Sequence, residues 1–420
     1  MFAAKKREVL GILVLTLLWL TACSDGSGGS GEGDSLRQDA LSGDGAGGGD
    51  GAGVLDRAAP DYVSAATVTK GPYLQDPGPH SILVRWETDE YASSKVAYGS
   101  DESLSLSSSG ITFQIDTSSM DELPPPERYQ HEVMINDLAP GTTYHYRVVS
   151  VEEPLPEATF RTAPPAGEPF SFVVFGSTEM IDDFHALVME NIAAVQPDIL
   201  LHTGDLIAEG SDIEQWQTFF DIESPLLAST PLYPVFSDNE AKLGQIYFDG
   251  FFQLGGDSGK YYSFDYGGAH FIILDTNQPL VEGEQADWLI ADLEETAAAS
   301  PRFLFVSFHE PIFTFSHHPP NIEHRQFLQP LFESYNVDAV FSGHNHCYEH
   351  FLVNDIHYMV TGGGGAPLHG IFQNVVDLED GVRLKAIKAM NFIQIRVEGT
   401  DADVTAYDVS SDEIIESFHL

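Results

Sequence analysis

The sequence predicts an α/β fold: a layered domain of strands and helices over residues 168–420, preceded by a small all-β sandwich over 65–164. Between 65 and 164, short runs of alternating polarity such as "HSILVRWET" and "TTYHYRVVS" are separated by Pro and Gly turns, with no helical period among them. After "PPAGEP", apolar runs of strand length alternate with amphipathic helical segments. Those later strands end in short polar clusters, and strand ends are where open α/β sheets keep their chemistry.

Taken in chain order, "MFAAKKREVLGILVLTLLWLTAC" opens with Lys5, Lys6 and Arg7 and continues in an apolar stretch from Val9 to Leu20, short for a membrane span. It reads as an export signal over 1–22. The "LTAC" box resembles a bacterial lipoprotein cleavage site, which implies lipidation of Cys23, a membrane anchor through that lipid, and a place on the periplasmic face of a membrane or on the cell surface. Residues 23–64, rich in Gly, Ser and Asp, cannot bury apolar surface and are expected to form a disordered tether. Only Cys347 then remains, so no intrachain disulfide is expected.

The chain has 43% hydrophobic and 11% aromatic residues, enough for real cores. With 19 Lys+Arg against 64 Asp+Glu, the formal net charge is -45, a field that repels nucleic acid and anionic lipid surfaces. Nucleic acid is therefore excluded as a partner. A phosphate ligand would be repelled too, unless bound cations reversed the field locally.

In the β region the strands are "HSILVRWET", "SKVAYGS", "QHEVMINDL", "TTYHYRVVS" and "ATFRTAP". In the α/β region "FSFVVFG" precedes the helix "DDFHALVMENIAAV", then "PDILLHTGDL", a helix at "IEQWQTFFDI" and "PLYPVFSDNE". "HFIILDT" leads to the helix "EQADWLIADLEETAAA", then "RFLFVSFHEP", a helix at "HRQFLQPLFESY" and "VDAVFSGHNH". The end of the chain, with "IHYMVTGGGG", "NFIQIRV" and "DVTAYDV", is β again.

The polar clusters at the strand ends are "GSTE" (176–179), "GDL" around Asp205, "SDNE" (237–240), "FHEP" around His309, and "GHNH" with His344 and His346. A buried carboxylate such as Asp205 needs a cation or a dense set of donors. Imidazoles and aspartates at converging strand ends offer the nitrogen and oxygen ligands that Zn, Fe or Mn ions accept.

The pieces "KGPYLQ", "VRWET", "DLAPGTTYHYRV" and "FRTAP" resemble the fibronectin-type-III-like domain that precedes the catalytic domain of purple acid phosphatases. The order of "HTGDL", "SDNE", "FHEP" and "GHNHCYEH" resembles that of the calcineurin-like metallophosphoesterases. That resemblance implies a layered αββα sandwich and hydrolysis of a phosphate ester by metal-bound hydroxide, with one or two Fe, Zn or Mn ions as cofactors. The implied partner is a small phosphoester or phosphate. It also implies that Asp205 bridges two metals, that Asp238, His309 and His344 complete one position, and that His346 serves the other.

The chain departs from the family pattern at four positions. Ser177 stands where the first aspartate is expected, Asp238 for an asparagine, Asn239 for a histidine, and Ala208 for a tyrosine. Asp238 can still coordinate. The first metal position keeps Asp205 and His346, with Glu179 as the one available replacement ligand. Without a tyrosine no purple charge-transfer colour is expected. Asn239 can steady an oxyanion but cannot shuttle a proton, and His318, beside His317, can reach the site to compensate. The resemblance thus implies a phosphoesterase with a degenerate first metal site. The alternative is a lipid-anchored pseudophosphatase that binds phosphate or a partner without turnover.

Overall fold

The computed structural model describes residues 65–118, 127–242, 245–255, 259–372, 378 and 381–420; the expected signal, the tether and Cys23 lie outside the described residues. The β-rich part contains β1 (Val68–Gln75), β2 (Ile82–Thr88), β3 (Lys95–Gly99), β4 (Leu106–Ser109), β5 (Ile111–Phe113), β6 (Tyr129–Ile135), β7 (Thr143–Val148) and β8 (Ala158–Arg161). They form two four-stranded sheets, ordered β1-β2-β6-β5 and β4-β3-β7-β8. Side chains of alternate residues, among them Val84, Trp86, Val133, Tyr146 and Phe160, fill the space between them.

The α/β part runs through β9 (Phe170–Phe175), α1 (Asp182–Ala194), β10 (Ile199–His202), α2 (Ile213–Leu227), β11 (Leu232–Pro234), α3 (Asp238–Ala241) and α4 (Ile246–Phe251). It continues with β12 (Tyr262–Tyr266), β13 (Ala269–Leu274), α5 (Glu284–Ala299), β14 (Leu304–Phe308), α6 (Ile322–Tyr335) and β15 (Ala339–Ser342). The rest is β16 (Tyr348–Val353), β17 (Ile356–Thr361), β18 (Gly381–Ile387), β19 (Asn391–Glu398), β20 (Asp401–Asp408) and β21 (Glu413–His419).

A six-stranded sheet, β11-β10-β9-β19-β20-β21, faces a seven-stranded one, β12-β13-β14-β15-β17-β16-β18. The two-residue period of each strand assigns its side chains to layers. Along β9, Phe172 and Val174 point into the core between the sheets, while Val173 and Phe175 join the core under α1 and α2. Along β14, Phe305 enters the inter-sheet core and Leu304, Val306 and Phe308 pack under α5 and α6. Three apolar layers between four structural layers make the αββα sandwich. β9, β10 and β11 are mutually parallel, as are β13, β14, β15 and β17, so the polar clusters after β9, β10, β11, β14 and β15 all follow carboxyl ends of parallel strands.

The β-sandwich grips the α/β part at the end of α4. The buried guanidinium of Arg85 donates to the carbonyls of Phe251 (2.6 Å) and Gly250 (2.9 Å), and it pairs with Glu132 at 2.6 Å. Tyr73 Oη–H also donates to Phe251 O at 2.9 Å. Replacing Arg85 by Met is expected to cost about 3–5 kcal/mol, because a largely shielded carboxylate and a carbonyl lose their donor. Denaturant titration checks this, and adding Glu132→Gln is expected to recover part of the loss.

Candidate metal centre

The strand-end clusters converge through turns that only some backbones can make. After β9 the chain turns at Ser177 (φ 56°), after β10 at Asp205 (φ 56°), and after β15 at His344 (φ 62°), all left-handed conformations unusual for residues with a Cβ. Gly204 (φ 93°) permits the approach of the β10 and β14 ends, since a Cβ there would lie 2.7 Å from His309 Nδ1.

These turns bring together two trios of potential ligands, Asp205, His309, His344 and Glu179, Asp205, His346, whose ligand atoms within each trio all lie within 4.8 Å of one another. Asp205 belongs to both. Asp238, half exposed, adds a carboxylate 3.4 Å from His309 Nε2 and 3.9 Å from His344 Nδ1. On the other side Glu179 Oε1 lies 3.4 Å from His346 Nε2. Glu179 Oε2 and Ser177 Oγ are buried and have no hydrogen-bond partner. Orphaned buried oxygens beside clustered imidazoles are what a site built for cations presents. The donor set, oxygen and imidazole nitrogen without thiolate, fits Fe, Zn or Mn ions.

The ring orientations are set by the backbone. His309 Nδ1–H donates to Thr203 O at 2.8 Å, and His346 Nδ1–H donates to Pro367 O at 2.9 Å, leaving Nε2 of each ring facing the carboxylates.

The charges are strongly coupled. Burial alone would raise the Asp205 carboxyl, but the His309 imidazolium and the Ser237 hydroxyl hold it well below the usual carboxylate range. Burial likewise disfavours the His309 cation, yet Asp205 and Asp238 together keep its pKa well above an ordinary imidazole. A hydrogen bond to His309 lowers Asp238. Burial, reinforced by the Asp205 charge, pushes Glu179 well up, and burial with the His309 charge pushes His344 down to about 3. Without metal, His309 therefore carries a proton at neutral pH that ligation must expel. Metal loading is expected to release protons from His309 and Glu179 and to weaken as pH falls, which calorimetry in buffers of different ionisation enthalpy measures.

Two residues of "SDNE" contribute what sequence reasoning left unassigned. Ser237 Oγ lies 2.7 Å from Asp205 Oδ1 and 2.5 Å from Glu240 Oε2, but it has one proton to give. Burial and the Asp205 charge push Glu240 up to about 7, so below that pH Glu240 donates to Ser237 and Ser237 donates to Asp205. Glu240 also accepts the N–H groups of Leu206 (2.8 Å) and Ile207 (3.3 Å), tying α3 to the Asp205 turn. The signal was the Ser-x-x-Glu capping box, which the structure forms.

Asn239 sits on α3 with Oδ1 accepting from Lys242 Nζ at 2.6 Å, which leaves its amide N–H groups to donate outward. The ring of His318 lies 4.3 Å from that of His344 and 4.7 Å from that of His317. Asn345, inside "GHNH", clamps this loop: Oδ1 accepts from His318 N–H and Nδ2 donates to His318 O, both at 2.9 Å. Asn345 Nδ2 also donates to Thr314 Oγ1, which in turn donates to the buried Glu349. Cys347 is a buried free thiol, and Tyr348 and His350 share Glu416 away from the ligand trios. Ala208, which has no phenol to offer, joins Glu179, His185 and Asp212 in lining a cleft of about 480 Å³.

Comparison with known proteins places both parts of the chain. Residues 71–162 match the family described as purple acid phosphatase, N-terminal domain, and residues 178–348 match the calcineurin-like phosphoesterase family. Purple acid phosphatase 22 of Arabidopsis thaliana is 28% identical over 240 residues, covering 53% of each chain, so the match spans about half the length of that relative. Among solved structures, a purple acid phosphatase from yellow lupin (Lupinus luteus) seeds superposes with a TM-score of 0.72 at 18% identity, covering 83% of this chain and 74% of that one. The structure of PhoD superposes with a TM-score of 0.61 at 14% identity, covering 86% and 94%.

Proposed function

We propose that the chain, which matches the purple acid phosphatase N-terminal family over residues 71–162 and the calcineurin-like phosphoesterase family over residues 178–348, hydrolyses small phosphate esters with one or two Fe, Zn or Mn ions. The observation that carries this reading is the pair of ligand trios sharing the Asp205 carboxylate. Asp205, Asp238, His309 and His344 would hold one ion; Glu179, Asp205 and His346 would hold the other, with Glu179 standing in for the ligands absent at Ser177 and Ala208. Bound ions would supply positive charge in a strongly acidic protein and activate water for attack on phosphorus.

The remaining roles fall to this chain's own groups. The Asn239 amide, backed by Lys242, donates a hydrogen bond to a substrate oxygen. His318, held over His344 by Asn345, stabilises the phosphoryl group and gives a proton to the leaving oxygen. Burial and neighbouring His317 lower the His318 pKa, so its acid form is scarce at neutral pH and turnover is expected to favour acid conditions. With Ala208 in place of a tyrosine, the iron-loaded protein is expected to lack the purple tyrosinate charge-transfer band. The proposal extends to the ends of the chain: a fibronectin III-like N-terminal module, and a lipid on Cys23 that places the enzyme on the periplasmic face of a membrane or on the cell surface, supported by the basic start and the "LTAC" box.

The test is an assay of the full chain loaded with each metal, using p-nitrophenyl phosphate and bis-p-nitrophenyl phosphate. Turnover competitively inhibited by orthophosphate is expected. Metal and phosphate binding without turnover at any pH would select the pseudophosphatase reading.

A further inference from the structure

We propose that His369 is a positioning residue for the Glu179–Asp205–His346 metal position, and that occupancy of this position depends on it. The inference rests on the metallophosphoesterase reading. Its basis is the "GGGGAPLH" loop after β17, which lies flush against the turn at Ser177. Gly364 N–H donates to Gly176 O (2.8 Å) and Ala366 N–H to Ser177 O (3.0 Å). A Cβ on Gly364 would come within 2.5 Å of Gly176 O, so the close approach requires glycine there.

So placed, the loop grips His346 from two sides. Pro367 O takes the Nδ1 proton. His369 accepts from His346 N–H at Nδ1 (3.2 Å) and donates its own N–H to His346 O (2.8 Å). The two imidazoles stack with centroids 3.9 Å apart and planes 11° from parallel. His346 can then neither change tautomer nor swing away from Glu179. The His344 ring, by contrast, meets other side chains, with Nδ1 3.1 Å from His309 Nε2 and its ring 4.3 Å from that of His318. A position with only Glu179, Asp205 and His346 as ligands has little redundancy, so the aim of each ligand matters more than at the neighbouring position, where Asp238 adds a fourth.

The experiment is Mn²⁺ titration of the metal-stripped full chain, read by elemental analysis and by calorimetry, with thermal unfolding recorded for every variant. Wild type is expected to bind two equivalents. His369→Ala is expected to keep one tight equivalent and bind the other about 10–100-fold more weakly, the usual effect of removing a residue that orients a ligand. His369→Asn, whose Oδ1 can accept from His346 N–H, is expected to recover part of the loss. Combining His369→Ala with His344→Ala is expected to abolish tight binding altogether. Wild-type affinity at both positions in His369→Ala, or equal weakening of both, overturns the inference, as does a wild type that takes up a single ion. None of these outcomes touches the reading of the site as a phosphoesterase, which fails separately if loaded wild type shows no turnover.

Discussion

Asp205→Asn is expected to abolish metal-dependent hydrolysis, by about three orders of magnitude or more, while leaving the metal-free fold nearly as stable as wild type. Both trios lose a ligand in one substitution, because Asp205 belongs to each. Removing a single preorganised electrostatic contact in an active site typically costs about 10²–10³-fold, and here the whole cationic centre goes with it. Stability behaves differently because Asp205 acts in two directions. It attracts the His309 imidazolium, and its loss forfeits that attraction. It also raises the protonation range of Glu179 and Glu240, and neutralising it relieves both. The two changes oppose each other in the metal-free protein. The clean readout is therefore the melting shift on adding metal: wild type gains about 2.7 kcal/mol at a free ion concentration of 100 times the Kd, and the variant gains none. A variant that still shows a wild-type shift would remove Asp205 from the centre.

The strands were legible because apolar runs of strand length survive in a single sequence. The run "FSFVVF" marks β9 as a buried strand but is apolar on both faces, so which face meets which layer is decided only by packing. Edge strands were not: β18, "GVRLKAI", turns Val382 and Leu384 outward at the margin of its sheet, so its pattern does not mark a buried face. The polar strand ends could be read from motif order, and Glu179 stands in the sequence only as the one replacement available, with no feature that fixes its position. Its approach to His346 depends on the left-handed turn at Ser177, which no local preference of serine announces. Asn345 and His369 were invisible for another reason. Each acts by hydrogen bonds to the backbone of a segment about 25 residues away in sequence, and such partners exist only once the loops are packed.

Restoring the family's aspartate by Ser177→Asp is expected to have opposite effects with and without metal. Ser177 is fully buried, its hydroxyl is unpartnered, and its left-handed backbone suits aspartate better than most residues. Metal-free, the new carboxylate joins Glu179 and Asp205 in a pocket where Glu179 is already driven toward its neutral form. An uncompensated buried charge typically costs about 3–5 kcal/mol, so metal-free melting is expected to fall by roughly 6–12 °C. With metal the same carboxylate would give the proposed Glu179–Asp205–His346 position a fourth ligand, and each added anionic ligand tightens a cation site. The melting shift on metal addition should then exceed that of wild type, and the second equivalent should bind at least about tenfold more tightly. The sign reversal is what makes the comparison informative, since a merely disruptive substitution lowers melting in both states and a distant one changes neither. An unchanged metal-free melt together with an unchanged metal shift would place the Ser177 side chain outside the Glu179 position, and the serine could no longer be counted as its missing ligand.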